Sequence, residues 1–404
     1  MLRALLRVRL AIGLGVAVST LCVASQADEP KPAADPALVD PLRKHAEAAI
    51  AITARRELDG RAHTPWQIIH GVLGMRDQFY VRVDGQRMSA IDWFHNQSAT
   101  YANEPYFEVT EFGGRGHPFT KPMLFEGHPT QFLAYLTMTN LPLDFQVKSG
   151  DKTLTIQDLV TGSQKEVKTG EEPGWTLWAL THYLGVDATW ENKDGEPWSI
   201  ERLVRSQTYE TVHTAACGGT HGLFALAYAR DKYLETGRPL RGVWLEADQK
   251  VRRYIAEAKA LQNADGSFSV DFFKGKKWGK TVEERLGPSG HMFEFLMIAL
   301  PREQLDEQWA RNAVYSVTRD LEETKSQTLS VAPLYHAVDG LHIWLKRTAS
   351  TNAPRVPVAT TSSISTPGGR PGTSPAVATG TTEASSKPST AVDGSTLAPS
   401  AAKD

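Results

Sequence analysis

The chain has 404 residues, of which 41% are hydrophobic and 22% are charged, and its formal net charge at pH 7 is -2. This length allows one large domain or two ordinary ones. The small net charge gives no reason to expect nucleic acid or an anionic membrane as the main partner.

The N-terminus has the features of a secretory signal peptide. A basic leader with three arginines precedes an apolar run over residues 10–24, and small residues precede an expected cleavage site after Ala27. We therefore predict a signal peptide over residues 1–27, a linker over residues 28–37, and export to the periplasm or the medium. No membrane span is expected in the mature chain, and an uncleaved anchor is the alternative.

Cleavage would remove Cys22 and leave Cys217 as the single cysteine. An intrachain disulfide is then excluded, so the domain must be stable through its core. The thiol of Cys217 is either a buried packing group, a metal ligand, a nucleophile or an intermolecular bridge.

Helical patterns cover residues 39–58 and 64–75, and the second one begins with a capping threonine and a proline. The period then changes around Asp84-Gly85, which is typical of a β-hairpin. A long loop rich in glycine, proline and aromatic residues follows. We predict a small insertion of a β-hairpin and a loop over residues 77–127.

Two kinds of segment recur along the rest of the chain. The first is a tight turn, a hydroxyl residue that caps a helix, and an apolar pair one turn later. It occurs at Asp84-Gly85 with Ser89, at Gly150-Asp151 with Thr155, and at Asp194-Gly195 with Ser199. The second is a strongly apolar helix, and such helices follow Gly127-His128, Gly174-Trp175, Gly219-Thr220-His221 and Gly290-His291, with a last one over Tyr335 to Leu345.

Amphipathic helices belong outside and helices that are apolar all round belong inside. Counting pairs of the two kinds gives about six helical hairpins over residues 38–348. Stacked hairpins either close on themselves or form an open solenoid. We predict an all-α fold, an α/α toroid, with the open solenoid as second choice. Residues 349–404 contain no aromatic residue, so a disordered tail is expected there.

The segment from Gln262 to Phe268, which reads Gln-Asn-Ala-Asp-Gly-Ser-Phe, resembles a turn of the terpenoid cyclase and protein prenyltransferase superfamily. In that superfamily the turn joins outer and inner helices of an α/α toroid, so the resemblance implies this fold. The Asp-rich protonation motif of the cyclases and the Asp-x-Cys zinc pair of the prenyltransferases are absent. The resemblance therefore implies neither activity.

In a closed toroid the N-terminal ends of the inner helices converge at one mouth, where helix dipoles favour negative charge. We expect His128, His221 and His291 at those ends, and His336 at the start of the last inner helix. Four imidazoles at one rim could bind a metal, transfer protons or contact a substrate. The alternative is that each caps its own helix and bonds to a nearby loop.

Cys217 and His221 are four residues apart, the spacing of one helical turn. This pair could be half of a zinc site, completed by two other histidines, or a thiolate–imidazolium nucleophile. Gly218 and Gly219 argue that the helix begins after Cys217. The plain alternative is a small buried residue before a glycine turn.

Two carboxylates lie three residues after histidines, Glu294 after His291 and Asp339 after His336. On a helix each pair would share one face, so the acid could orient the imidazole or act as a base. Glu294 is the more informative one, because burying an unpaired carboxyl in an apolar helix is costly. A structural hydrogen bond is the alternative for Glu294.

Trp175, Trp178 and Tyr106 are the aromatic residues expected near the mouth, where they would suit a sugar ring or an apolar chain. Aromatic residues at helical spacing can equally be core. Phosphate-binding, dinucleotide-binding and nucleophile-elbow motifs are absent from the sequence. Nucleotide dependence and ordinary serine hydrolysis are therefore not expected.

Three functions remain open. The first is an enzyme that acts on a carbohydrate or an apolar small molecule at the histidine-lined mouth, with His221, Glu294, His291, His128 and His336 as catalytic residues. The second is a non-catalytic protein that binds a partner protein. The third is a zinc protein centred on Cys217 and His221.

Overall fold

A computed structural model describes residues 40–117 and 123–349. The predicted signal peptide, the linker and the tail from residue 350 onward lie outside the described residues, as does the part of the insertion over residues 118–122. The described residues form twelve α-helices, and none of them is both long and apolar enough to cross a membrane. They are α1 (Pro41–Thr53), α2 (Pro65–Met75), α3 (Ala90–Asn96), α4 (Gln131–Leu136), α5 (Ile156–Glu166), α6 (Gly174–Leu184), α7 (Ile200–Tyr209), α8 (Thr220–Glu235), α9 (Val243–Leu261), α10 (Val282–Ala299), α11 (Gln308–Glu323) and α12 (Val331–Thr348).

Six of these helices form an inner ring. In the order α2, α4, α6, α8, α10 and α12, each helix contacts the next, and α12 contacts α2. The other helices lie outside the ring and are amphipathic. In α11, for example, Trp309, Ala313 and Val317 repeat every four residues and are buried, which is the pattern of a helix with one face on a core.

The predicted all-α fold class is wrong, because the described residues also form five small β-sheets. One sheet has three strands, with β1 (Leu58–Asp59) parallel to β2 (Tyr80–Val83) and β2 antiparallel to β3 (Gln86–Ser89). The other sheets are antiparallel pairs: β4 (Thr100–Tyr101) with β5 (Glu104–Pro105), β6 (Phe107–Thr110) with β7 (Gly113–Gly116), β8 (Gln146–Ser149) with β9 (Lys152–Thr155), and β10 (Thr189–Glu191) with β11 (Pro197–Ser199).

Each repeated turn closes a β-hairpin that leads directly into an outer helix. The predicted hydroxyl caps are confirmed, since the side chains of Ser89, Thr155 and Ser199 accept hydrogen bonds from backbone N–H groups at the starts of α3, α5 and α7. The hairpin at Asp84-Gly85 was expected. The strands of the other two copies were not, because they are only three or four residues long and carry no run of alternating apolar residues.

The hairpin of β6 and β7 packs on α5. The contact is close: a Cβ atom added to Gly162 would lie 1.9 Å from the carbonyl oxygen of Gly114. The strands therefore form part of the packed domain and are not a loose appendage.

Two of the inner helices begin earlier than predicted from the sequence. A capping box of Thr281 and Glu284 starts α10, which continues through Pro288 and places His291 in the second half of the helix. Likewise α12 begins at Val331, so His336 lies more than one turn inside it. The expectation that His291 and His336 mark helix starts is therefore wrong, whereas His221 is the second residue of α8.

Candidate functional site

The inner ring surrounds a cluster of imidazole and indole rings, one from each inner helix or the turn before it. His128 precedes α4, and the other members are His70 on α2, Trp175 on α6, His221 on α8, His291 on α10 and His336 on α12. The four predicted histidines are thus brought together, and His70 joins them. The ring centroids of His291 and His336 are 4.0 Å apart, the shortest separation in this cluster.

His221 lies at the centre of this cluster. Its ring centroid is 4.9 Å from those of His128 and Trp175 and 5.2 Å from that of His291. The side chain is 2% exposed, and neither ring nitrogen has a hydrogen-bond partner. Burial, and after it the neighbouring histidines, holds the pKa of His221 well below its ordinary value of 6.5, so the ring is neutral. A buried polar group without a partner costs free energy, and its presence calls for an explanation.

Two other histidines of the cluster, His70 and His291, have defined tautomers. The Nδ1 atom of His70 lies 2.5 Å from the carbonyl oxygen of Trp66, and Nδ1 of His291 lies 2.8 Å from that of Gly287. A carbonyl oxygen can only accept, so both Nδ1 atoms carry the proton and both Nε2 atoms keep a lone pair. Burial lowers the pKa of His70 to about 3 and that of His291 to about 4.

His336 is oriented by a chain of acidic side chains. Its Nδ1 atom lies 2.8 Å from Oε2 of Glu294, while its Nε2 atom has no partner. Asp339 lies close enough to Glu294 for its charge to act on the Glu294 carboxyl, and it accepts a hydrogen bond of 2.8 Å from Arg76. Burial, and after it the charge of Asp339, raises the pKa of Glu294 well above its ordinary value, so Glu294 is protonated.

This arrangement differs from the pairs expected from sequence spacing. Glu294 serves His336 on the neighbouring helix instead of His291 on its own helix. Asp339 pairs with Arg76 instead of His336. The reason is that α10 and α12 are in close contact, so the nearest polar group to each acid lies across the helix interface.

Cys217 lies in the turn before α8, and its backbone is in the left-handed region, with φ of 49°. This conformation is strained for a residue with a side chain. As expected, the helix begins after Cys217. Burial, and after it the charge of Glu172, raises the pKa of the Cys217 thiol to about 12, so the thiol is protonated in the metal-free protein.

The described residues contain two groups that could hold a metal ion. Cys217, His221 and His291 form the first, and His128, Glu172 and His221 form the second; within each group the donor atoms lie within 4.8 Å of one another. We call them the inner triad and the outer triad. His221 belongs to both.

The outer triad lies beside a cleft with a volume of about 390 Å³, whose lining includes His128, Glu172 and Glu126. Nδ1 of His128 is 2.6 Å from Oε2 of Glu172. Glu126 is 7% exposed and accepts a hydrogen bond of 2.8 Å from the backbone N–H of Phe132. Burial raises the pKa of Glu126 to about 8, so this carboxyl is mostly protonated at pH 7.

The aromatic residues expected to bind substrate have different surroundings. Trp175 belongs to the central cluster, and its Nε1 atom has no partner. Trp178 stacks on Phe224 and donates a hydrogen bond of 2.6 Å to Thr137, and it is 5% exposed. Tyr106 is fully buried. Neither Trp178 nor Tyr106 lines the cleft, because both side chains pack into the apolar core.

No role at the site was predicted from the sequence for His70, Glu126, Glu172 or Arg76. His70 lies inside an apolar helix, where a histidine four residues after Trp66 gives no distinctive pattern. Glu126 comes two residues before His128, and Glu172 comes two residues before α6. Acidic residues just ahead of an inner helix were the available signal for these two.

Comparisons of the chain with protein-family models, with curated proteins and with solved structures give no match. The function therefore has to be inferred from the geometry of the site.

Proposed function

We propose that this protein is a zinc-dependent hydrolase whose ion is bound by the inner triad, Cys217, His221 and His291. The proposal rests on the surroundings of His221. Its neutral ring is fully enclosed, neither ring nitrogen has a hydrogen-bond partner, and a thiol and a second imidazole lie next to it. A metal ion gives such a ring the partner that the protein itself does not supply.

The donor set fits zinc. Thiolate sulfur and imidazole nitrogen are preferred zinc ligands, and in a tetrahedral site with bonds of about 2.0–2.3 Å such donors lie roughly 3.3–3.7 Å apart. The donors of the inner triad lie within 4.8 Å of one another, so an inward movement of about 1 Å would bring them to bonding distance. Three protein ligands leave a fourth position open, as in catalytic zinc sites.

Groups around the triad also match what a metal site requires. The hydrogen bond from Nδ1 of His291 to the carbonyl of Gly287 fixes the ring with Nε2 free, which is how ligand histidines are commonly held. The strained backbone at Cys217 holds the thiol in a defined turn. Zinc binding would release the thiol proton, because the thiolate is the ligand form.

The cleft supplies the rest of the chemistry. A zinc ion polarises a bound carbonyl or phosphoryl group and lowers the pKa of a bound water to near 7. Glu126 keeps a proton at pH 7 and can donate it to a leaving group. Substrate would enter on the side of His128 and Glu172, which line the cleft.

Metal analysis of the protein, combined with hydrolysis assays, tests the proposal. We expect stoichiometric zinc in the purified protein and chelator-sensitive hydrolysis of esters, phosphoesters or peptides. Cys217→Ser and His221→Ala should lose the zinc of the inner triad and the activity. His45→Ala, a change at an exposed histidine, should lose neither.

Two results would contradict the proposal. One is wild-type zinc content in both Cys217→Ser and His221→Ala. The other is copper in place of zinc, with the intense visible absorption of a copper–thiolate site, because two histidines and one cysteine are also the donors of electron-transfer copper centres.

A further inference from the structure

We propose that the outer triad, formed by His128, Glu172 and His221, binds a second zinc ion, and that the ring of His221 bridges the two ions. The inference rests on the proposed function, since the same ring is a ligand of the first ion. It assigns a second metal site and a dinuclear centre to this protein.

The first step is the overlap of the two triads. The donors fall into two groups of three with His221 as their common member, and no larger group of mutually close donors occurs among the described residues. A single ion held by all five side chains is therefore disfavoured. Two ions that share one ligand account for both groups.

The second step concerns the two nitrogens of His221. They lie at different edges of the ring, and both are buried without a partner. A single ion would satisfy one nitrogen and leave the other, with its proton, enclosed among aromatic rings. A second ion removes this unpaired group, because a ring that binds metal through both nitrogens has lost its N–H proton. That proton would be released to solvent.

The third step concerns the donor atoms that His128 and Glu172 offer to the second ion. The contact between Nδ1 of His128 and Oε2 of Glu172 uses one donor atom from each side chain, so each keeps another for the ion. Both side chains are partly exposed, at 14% and 25%. The second ion would therefore face the cleft.

Charge also favours this position. Glu172 brings a carboxylate, which is a good ligand for zinc next to imidazole. Two divalent ions would be only partly neutralised by one thiolate, one imidazolate and one carboxylate. The centre should therefore favour substrates with an anionic group, such as a carboxylate or a phosphate.

Titration of the metal-free protein with Co²⁺ tests the inference, since cobalt replaces zinc and absorbs light. We expect two equivalents per chain, of which one gives the near-ultraviolet charge-transfer band of a cobalt–thiolate bond. Glu172→Gln and His128→Ala should each bind one equivalent and keep that band. Cys217→Ser should lose the band. Glu171→Gln is the matched control: Glu171 also lines the cleft but lies outside both triads, so this variant should bind two equivalents.

The outcomes separate the two proposals. One equivalent with the thiolate band in the wild type, unchanged by Glu172→Gln, would overturn the second site and leave the proposed function standing. No cobalt binding would overturn both. Two equivalents in Glu172→Gln and in His128→Ala would show that the second ion is bound elsewhere, which also overturns the inference.

Discussion

Replacement of His221 by leucine should affect the metal-free and the zinc-loaded protein in opposite ways. In the metal-free protein the two unpaired nitrogens of His221 destabilise the folded state, because each buried unpaired polar atom costs about 1–3 kcal/mol. Leucine has a similar volume, and volume-conserving core substitutions usually cost less than about 1.5 kcal/mol. The variant should therefore be as stable as the wild type in chelator, or more stable by up to a few kcal/mol.

In the presence of zinc, the wild type should be more stable than the leucine variant. A ligand that binds only the folded state at 100 times its dissociation constant adds about 2.7 kcal/mol to the free energy of unfolding. The wild type should gain at least that amount, and the leucine variant should gain none at the inner triad. The measurement is urea unfolding of both proteins, first with a chelator and then with buffered free zinc.

Two results would refute this reasoning. A loss of several kcal/mol by the variant in chelator would mean that the protein itself stabilises the imidazole. An equal response of both proteins to zinc would mean that the ion does not bind through His221.

Three further predictions concern the surroundings of the site. The carboxyl of Glu126 has a pKa of about 8 in the folded state and about 4.5 in the unfolded state. Between these pH values the free energy of unfolding should therefore fall as the pH rises, by at most about 1.4 kcal/mol per pH unit, and Glu126→Gln should remove this slope. Arg76→Ala should cost about 3 kcal/mol, because it leaves the buried Asp339 without its cation, and Asp339→Asn should cost less. Gly162→Ala should cost more than about 2 kcal/mol through its clash with the facing strand, whereas Gln157→Ala, exposed on the same helix, should stay within about 0.5 kcal/mol.

Urea unfolding checks all three predictions, with a pH series from 5 to 8.5 for the first. A Glu126→Gln variant with the wild-type pH slope would show that Glu126 ionises normally. A smaller loss for Arg76→Ala than for Asp339→Asn would mean that the cation is not what keeps the acid buried. Equal stability of Gly162→Ala and the wild type would show that the hairpin does not press on α5.

Local chemistry explains which parts of the fold could be predicted from the sequence. Ser89, Thr155 and Ser199 cap helices because a hydroxyl after a tight turn satisfies the first free N–H groups, and this requires no distant partner. The strands beside two of the turns were missed, since a pair of three- or four-residue strands is defined by pairing and not by composition.

A glycine can also allow two helices to pack closely, and this role could not be recognised from the sequence. Gly290 was interpreted as a helix start, but it lies inside α10, where an added Cβ would be 2.7 Å from the carbonyl oxygen of Pro333. It allows α10 and α12 to approach closely. That approach also brings Glu294 to His336, so the misplaced helix start and the misassigned acid–imidazole pair have one physical cause.

Part of the site could also be predicted from the sequence. The repeated position of His128 and His221 ahead of apolar helices pointed to a shared centre. The contributions of Glu172 and Glu126 depend on where two loops run, and that of His70 depends on closure of the ring between α12 and α2. The course of the loops and the closure of the ring cannot be obtained from spacing along the chain.

X-ray absorption spectroscopy at the zinc edge of the purified protein reports directly on the ligands of the bound ion. We expect one sulfur scatterer at about 2.3 Å, from Cys217, together with nitrogen or oxygen scatterers at about 2.0–2.1 Å. In Cys217→Ser the sulfur scatterer should disappear. Zinc without any sulfur neighbour, or a wild-type protein that binds no zinc, would contradict a metal centre built on Cys217, His221 and His291.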